Sequence, residues 1–175
     1  MIPAHAIRKF GVPAISIILA VAACAAAAAA DWTVRPDRIG SIRVGTPFAA
    51  LKVPLKQPVR TTDFNAEGSC YYATPDLPQE FNLMIENGVV TAVDVMKPGV
   101  RTAEGIGVGD PVAKVRQAYG KLVRSTPDAY DSNQQELTIL SKDGKFAIRF
   151  YTADGEVSAF IAGRIKSVNY MEGCL

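Results

Sequence analysis

The stretch Gly105-Ile-Gly-Val-Gly-Asp-Pro-Val-Ala-Lys-Val-Arg-Gln-Ala-Tyr-Gly120 carries start, body and stop signals for one short helix. The Asp110 side chain can accept from the first free backbone N–H groups, Pro111 suits the first helical position, and Gly120 can take the left-handed conformation that closes a helix. Val112, Val115 and Tyr119 fall at i, i+3 and i+7. One apolar stripe therefore faces a core, while Lys114, Arg116 and Gln117 lie on other faces. The same wording occurs 64 positions earlier in Ile42-Arg-Val-Gly-Thr-Pro-Phe-Ala-Ala-Leu51, with Thr46, Pro47, Phe48 and Leu51 in the places of Asp110, Pro111, Val112 and Val115. A second short helix is expected there.

Working outward, residues 31–38 read as an irregular lead-in anchored by Trp32, and Pro54 and Pro58 forbid helical continuation after the first helix. Residues 70–74 are rich in β-formers, and 81–85 alternate before an Asn87-Gly88 turn into 89–96. In the second half, 122–134 is a loop with a strand at its start. Residues 136–140 then pair through Asp143-Gly144 with 145–151, Asp154-Gly155 turns into 156–162, and 167–171 read as a last strand. The implied fold class is α+β: two tandem repeats, about 39–98 and 103–175, of a short helix plus antiparallel strands, with the helices on one face of a mostly antiparallel sheet, all in a single domain from 31 to 175.

Strand alternation sends Phe81, Leu83, Ile85, Phe146, Ile148 and Phe150 to the helix side, and Val157, Ala159 and Ile161 with them. Arg149, Tyr151 and Phe160 then face the other way, together with Met84, Asp94 and Met96 from the first unit. A sheet face mixing aromatic, methionine and arginine side chains has the composition of a protein-binding patch. The competing expectation is that the lead-in around Trp32 or the 122–134 loop folds over this face and makes a second small core.

Arg8 and Lys9 precede an apolar run over 12–23 that ends in small residues, so residues 1–30 read as an export signal. Two processing sites fit: ordinary cleavage before Asp31, giving a periplasmic or secreted protein, or a lipoprotein-type cut before Cys24 with a lipid on that cysteine, giving a membrane-anchored one. The chain has 19 Lys and Arg against 17 Asp and Glu, and the two excess cations are Arg8 and Lys9, so the mature chain is formally neutral. Nucleic acid is not an expected partner.

The single histidine, His5, also lies in the leader. Its loss excludes Ser-His-Asp, Cys-His and HExxH chemistry from the mature chain. Cys70 and Cys174 remain, and in an oxidising compartment a lone pair of thiols is expected as a disulfide, here tying the two halves together. No cofactor and no metal are expected. The glycines of 105–109 do not cradle a phosphate, because Asp110 sits where the anion would be. Asp128, Asp131, Asn133 and Glu136 lack the register of a calcium loop and read as loop caps, and Asp143 and Asp154 read as turn residues. A carboxylate-based hydrolase needs two carboxyl groups about 5 to 9.5 Å apart, and the acids are too dispersed to nominate a pair.

The Gly-Ile-x-Val-Gly-Asp-Pro-Val wording, ahead of a turn-rich loop and a hairpin, resembles small exported bacterial proteins related in fold to beta-lactamase inhibitor protein, and the outer-membrane-assembly small lipoproteins of the SmpA/OmlA type. The resemblance spans 42–96 and 106–162. It implies a non-enzymatic protein that binds another envelope protein through a sheet face or its loops, either as an inhibitor-like module or as an envelope scaffold or assembly lipoprotein. No inhibitory residue carries over.

Overall fold

The computed structural model describes residues 31–56 and 70–174. The leader with Cys24, and Pro58, lie outside the described residues. The 31–38 stretch is more regular than its sequence suggests. Three two-residue strands, β1 (Val34–Arg35), β2 (Arg38–Ile39) and β3 (Ile42–Arg43), form a small antiparallel sheet. The remaining strands are β4 (Cys70–Ala73), β5 (Asn82–Glu86), β6 (Val89–Val95), β7 (Arg124–Pro127), β8 (Gln135–Leu140), β9 (Phe146–Ala153) and β10 (Glu156–Arg164). They form one seven-stranded sheet in the order β4-β5-β6-β10-β9-β8-β7, antiparallel at every pairing. The protein is α+β, with strand far exceeding helix.

Local chemistry explains the two main hairpins. Asn87 and Gly88 have φ of 49° and 73°, and Asp154 and Gly155 have 52° and 82°. Positive φ at both central residues is what a two-residue turn of matching twist demands. The hairpins meet where β6 pairs with β10, and there Gly163 is required by space: a Cβ would strike the Thr91 carbonyl and the Ala92 Cα.

Each hairpin also receives the segment preceding it through the same three backbone bonds. In the first half Gly45 N–H donates to Val90 O (2.7 Å), Val90 N–H to Thr46 O (2.9 Å) and Phe48 N–H to Gly88 O (2.8 Å). In the second, Gly109 N–H donates to Val157 O (2.9 Å), Val157 N–H to Asp110 O (2.8 Å) and Val112 N–H to Gly155 O (2.9 Å). Beyond these bonds the halves diverge. The second runs into α1 (Val112–Tyr119), which buries Val115 and Tyr119 and ends at Gly120 with φ of 53°. The first makes only a 3-10 turn, Phe48–Ala50, because Leu51 is already extended and Pro54 comes soon after. Asp110 is not a helix cap. Its carboxylate instead accepts from Gly107 N–H (2.9 Å) and pairs with Arg101 (2.7 Å) and Lys114 (3.0 Å), so it ties the entry turn to the helix surface.

Two hydrophobic clusters lie on the two faces of the sheet. The larger holds Leu83, Ile85, Val93, Ile148, Phe150 and Phe160 under α1 and the small sheet, with Trp32 packed 5.3 Å from Phe81. Phe146 is half-buried. The smaller holds Met84, Ala92, Ala147 and Ile161 beneath Val168 and Cys174. Its cover is the chain end, where 167–171 does not form the expected strand. A single helical turn, α2 (Ile165–Val168), lies there instead, on the face opposite α1. The second small core is therefore real, but neither Trp32 nor the 122–134 loop builds it. Cys70 and Cys174 are joined by a disulfide with their Cα atoms 5.3 Å apart, which fastens this cover to strand β4.

Two residues expected on an exposed face are buried. Phe160 is fully buried in the larger cluster, its ring 5.5 Å from that of Phe150. The cause is a register shift between Val157 and Ala159: Ser158 is an extra residue, so alternation inverts along β10 and Ile161, not Phe160, reaches the opposite face. Met84 does point to that face, but it is fully buried under the C-terminal cover.

Candidate functional site

On the α2 face, the cover stops short of the middle of the sheet. Val93 and Val95 belong to the larger cluster, so Asp94 between them must point the other way. It lies in a cross-strand row running Asn82, Asp94, Ile161, Arg149, Thr138. Tyr72 reaches the same face from β4 and Tyr151 from β9, and the segment after α2 supplies the far wall with Met171. Together with Met96 and Ile161 these side chains enclose a cleft of about 340 Å³ with Asp94 in its lining.

Three of the residues singled out from the sequence, Asp94, Met96 and Tyr151, thus meet in one place. Arg149 is on the correct face but is turned away, paired with Glu136 (3.2 Å) and donating to Asn169 (2.5 Å). Met84 lies buried beneath the cover and Phe160 on the other side of the sheet. Tyr72, Tyr170, Met171 and Glu172 were missed. Alternation from Met84, which pairs opposite Tyr72, was the available signal for the first; the others were hidden by reading 167–171 as a strand.

The electrostatics single out Asp94. Among the described residues none donates a hydrogen bond to its carboxylate or places a cation against it. Lys97, three positions on, pairs with Glu80 (2.6 Å). Burial alone pushes Asp94 up to about 6, and burial together with the Asp94 charge pushes Tyr72 up to about 12. Burial also raises Tyr151.

A folded pKa above the unfolded 3.8 means that the folded state binds the proton more tightly. Asp94 therefore stabilises the fold fully only below about pH 4, and that contribution is lost as pH rises through 6. Asp94→Asn should accordingly raise the unfolding free energy at pH 7.5, by at most about 3 kcal/mol for a two-unit shift, and by less because water reaches the cleft. The gain should vanish near pH 4. Urea titrations of both proteins at the two pH values measure it, and a less stable Asn variant at pH 7.5 would mean that the carboxylate holds structure.

The acids between 128 and 136 are already engaged. Asp128 accepts from the N–H groups of Tyr130 and Asp131, Asp131 from Asn133, and Glu136 is the partner of Arg149. Among the described residues no group of three or more His, Cys, Asp or Glu is placed to hold a metal, and no helix is long and apolar enough to cross a membrane. No protein-family model, curated protein or solved structure matches this chain.

Proposed function

We propose that this chain is a non-catalytic protein-binding module, exported by its leader to the periplasm or envelope, which engages another envelope protein through the uncovered part of the α2 sheet face. The observation that carries this reading is a half-buried carboxylate, Asp94, without a partner among the described residues, in a cleft also lined by Met96 and Met171 at 63% and 67% exposure. An arrangement that costs stability and leaves large apolar side chains in water at one spot has the character of a recognition surface. The absence of histidine after His5 supports the non-catalytic part.

Two tandem copies of one unit form the finer architecture of the same proposal. It is supported by the three repeated backbone bonds and by a strand order in which β4-β5-β6 runs inward to the central β6–β10 pairing as β8-β9-β10 does from the other side. The resemblance to the beta-lactamase inhibitor and SmpA/OmlA fold group belongs to this proposal as well, and so does lipid anchoring through Cys24 as the alternative to a soluble form.

The test is capture from an envelope extract, with wild-type protein and a Met96→Glu, Met171→Glu double variant as parallel baits. Exposed positions tolerate such changes within about 0.5 kcal/mol, so thermal stability should be nearly unchanged. A partner retained by the wild type should fall at least tenfold with the variant. Equal capture by both would remove this face as the binding surface. A partner enzyme that loses activity on binding marks an inhibitor, and one that does not marks a scaffold. A hydrolytic activity of the purified protein abolished by Asp94→Asn would overturn the non-catalytic reading.

A further inference from the structure

Resting on the sheet-face reading, we infer that the Asp94 cleft receives the ammonium or guanidinium group of a lysine or arginine side chain presented by the protein partner. Charge complementarity selects the occupant. Asp94 lines the cleft, and among the described residues the nearby cations able to compensate it are engaged elsewhere. Arg149 shares its cross-strand row but is separated by Ile161 and committed to Glu136 and Asn169. Lys97 and Lys56 both pair with Glu80.

The tyrosine hydroxyls of the cleft are committed too. Tyr170 donates to Glu86 (2.7 Å), Tyr72 bonds the Cys174 backbone, and Tyr151 interacts with Arg149. A second acid, Glu172, lines the same cleft, its carboxylate held by the Tyr130 hydroxyl at 2.9 Å. An anionic group entering here would meet two carboxylates. An apolar one would strip water from Asp94 and return nothing, and a neutral donor would return a hydrogen bond without the opposite charge. A cation satisfies the carboxylate, and its aliphatic stem matches walls of tyrosine, isoleucine and methionine, where aromatic rings add further attraction.

The volume, about 340 Å³, accommodates one such side chain. Met96 and Met171, both in the cleft lining, stand exposed, a rim that a free amine would leave uncovered and a protein surface would bury. Electrostatic matching of this kind sets register and specificity at a protein interface.

The experiment uses the chain with simple probes, monitored by NMR. Nα-acetyl-arginine amide and Nα-acetyl-lysine amide should produce saturable shifts of Tyr72, Tyr151 and Ile161 resonances at concentrations up to about 100 mM. Nα-acetyl-norleucine amide, the uncharged counterpart, should bind at least tenfold more weakly, and so should the basic amides to Asp94→Asn. Equal binding of norleucine amide, undiminished binding to Asp94→Asn, or no saturable shift with either basic amide would overturn the inference. Methylammonium binding as tightly as the amino-acid amides would assign the cleft to small amines and overturn the side-chain assignment. In the partner capture, Asp94→Asn should lower recovery at least tenfold. If Asp94→Asn leaves recovery intact while the methionine double variant abolishes it, the cation inference fails and the sheet-face reading stands; if neither variant changes recovery, both fail.

Discussion

Phe160→Ala should lower the unfolding free energy by about 3 to 5 kcal/mol, the range for removing a fully enclosed aromatic ring. The ring has no exposed surface, stands 5.5 Å from Phe150, and Phe150 in turn stands 5.9 Å from Tyr119 on α1. These three rings join β10, β9 and the helix, so the cavity would open at the junction of three elements with little freedom to collapse. Urea unfolding monitored by circular dichroism reads the effect. A loss under about 1 kcal/mol would place Phe160 on a surface, as uninterrupted alternation along β10 would, and would discredit the extra residue at Ser158.

The second large effect concerns the disulfide. Cys70 and Cys174 are 104 positions apart, and closing a loop of that length in the unfolded chain corresponds to about 4 to 5 kcal/mol in the chain-entropy account. Cys70→Ser with Cys174→Ser should lose an amount of this order and become insensitive to reductant, whereas the wild type should lose the same amount only when reductant is added. A wild-type unfolding midpoint unchanged by reductant would show that the bond contributes nothing. The loss should be local before it is global. The cover over Met84 and Ala92 is attached to β4 by this bond, so amide exchange should rise first around 165–174. The Asp94 cleft would lose its far wall at the same step.

Much of the sheet was legible because its determinants are local. Asn87-Gly88 and Asp154-Gly155 specify two-residue turns, and the alternation of Ile148 and Phe150 against Arg149 and Tyr151 fixes the faces of β9. The same alternation placed Asp94, Met96 and Tyr151 together. The features that escaped were set by tertiary context. Ser158 leaves no trace in composition, yet one extra residue exchanges Phe160 for Ile161. The stretch 167–171 alternates like a strand, but Asn169 N–H donates back to Ile165 O (3.1 Å), and Val168 finds its apolar contacts on the sheet face without extending. The turn at Phe48–Ala50 has helix wording over too few residues to propagate, since a helix gains only after its first costly turn. Strands of two residues, as in β1 to β3, offer no period to read.

The seven-stranded sheet is open, and an open sheet invites other chains to add strands at its margins. Both margins here are guarded. β7 is only four residues long, carries Arg124, and ends in Pro127, which has no N–H to offer an incoming strand. At the other margin, the chain just beyond β4 is already paired, with Lys56 N–H donating to Thr74 O (2.8 Å) and Asp76 N–H to Pro54 O (2.8 Å), while Cys70 is tethered by its disulfide. With both margins hindered, backbone pairing is a poor route for recognition, which fits the proposed use of side chains on the flat of the sheet.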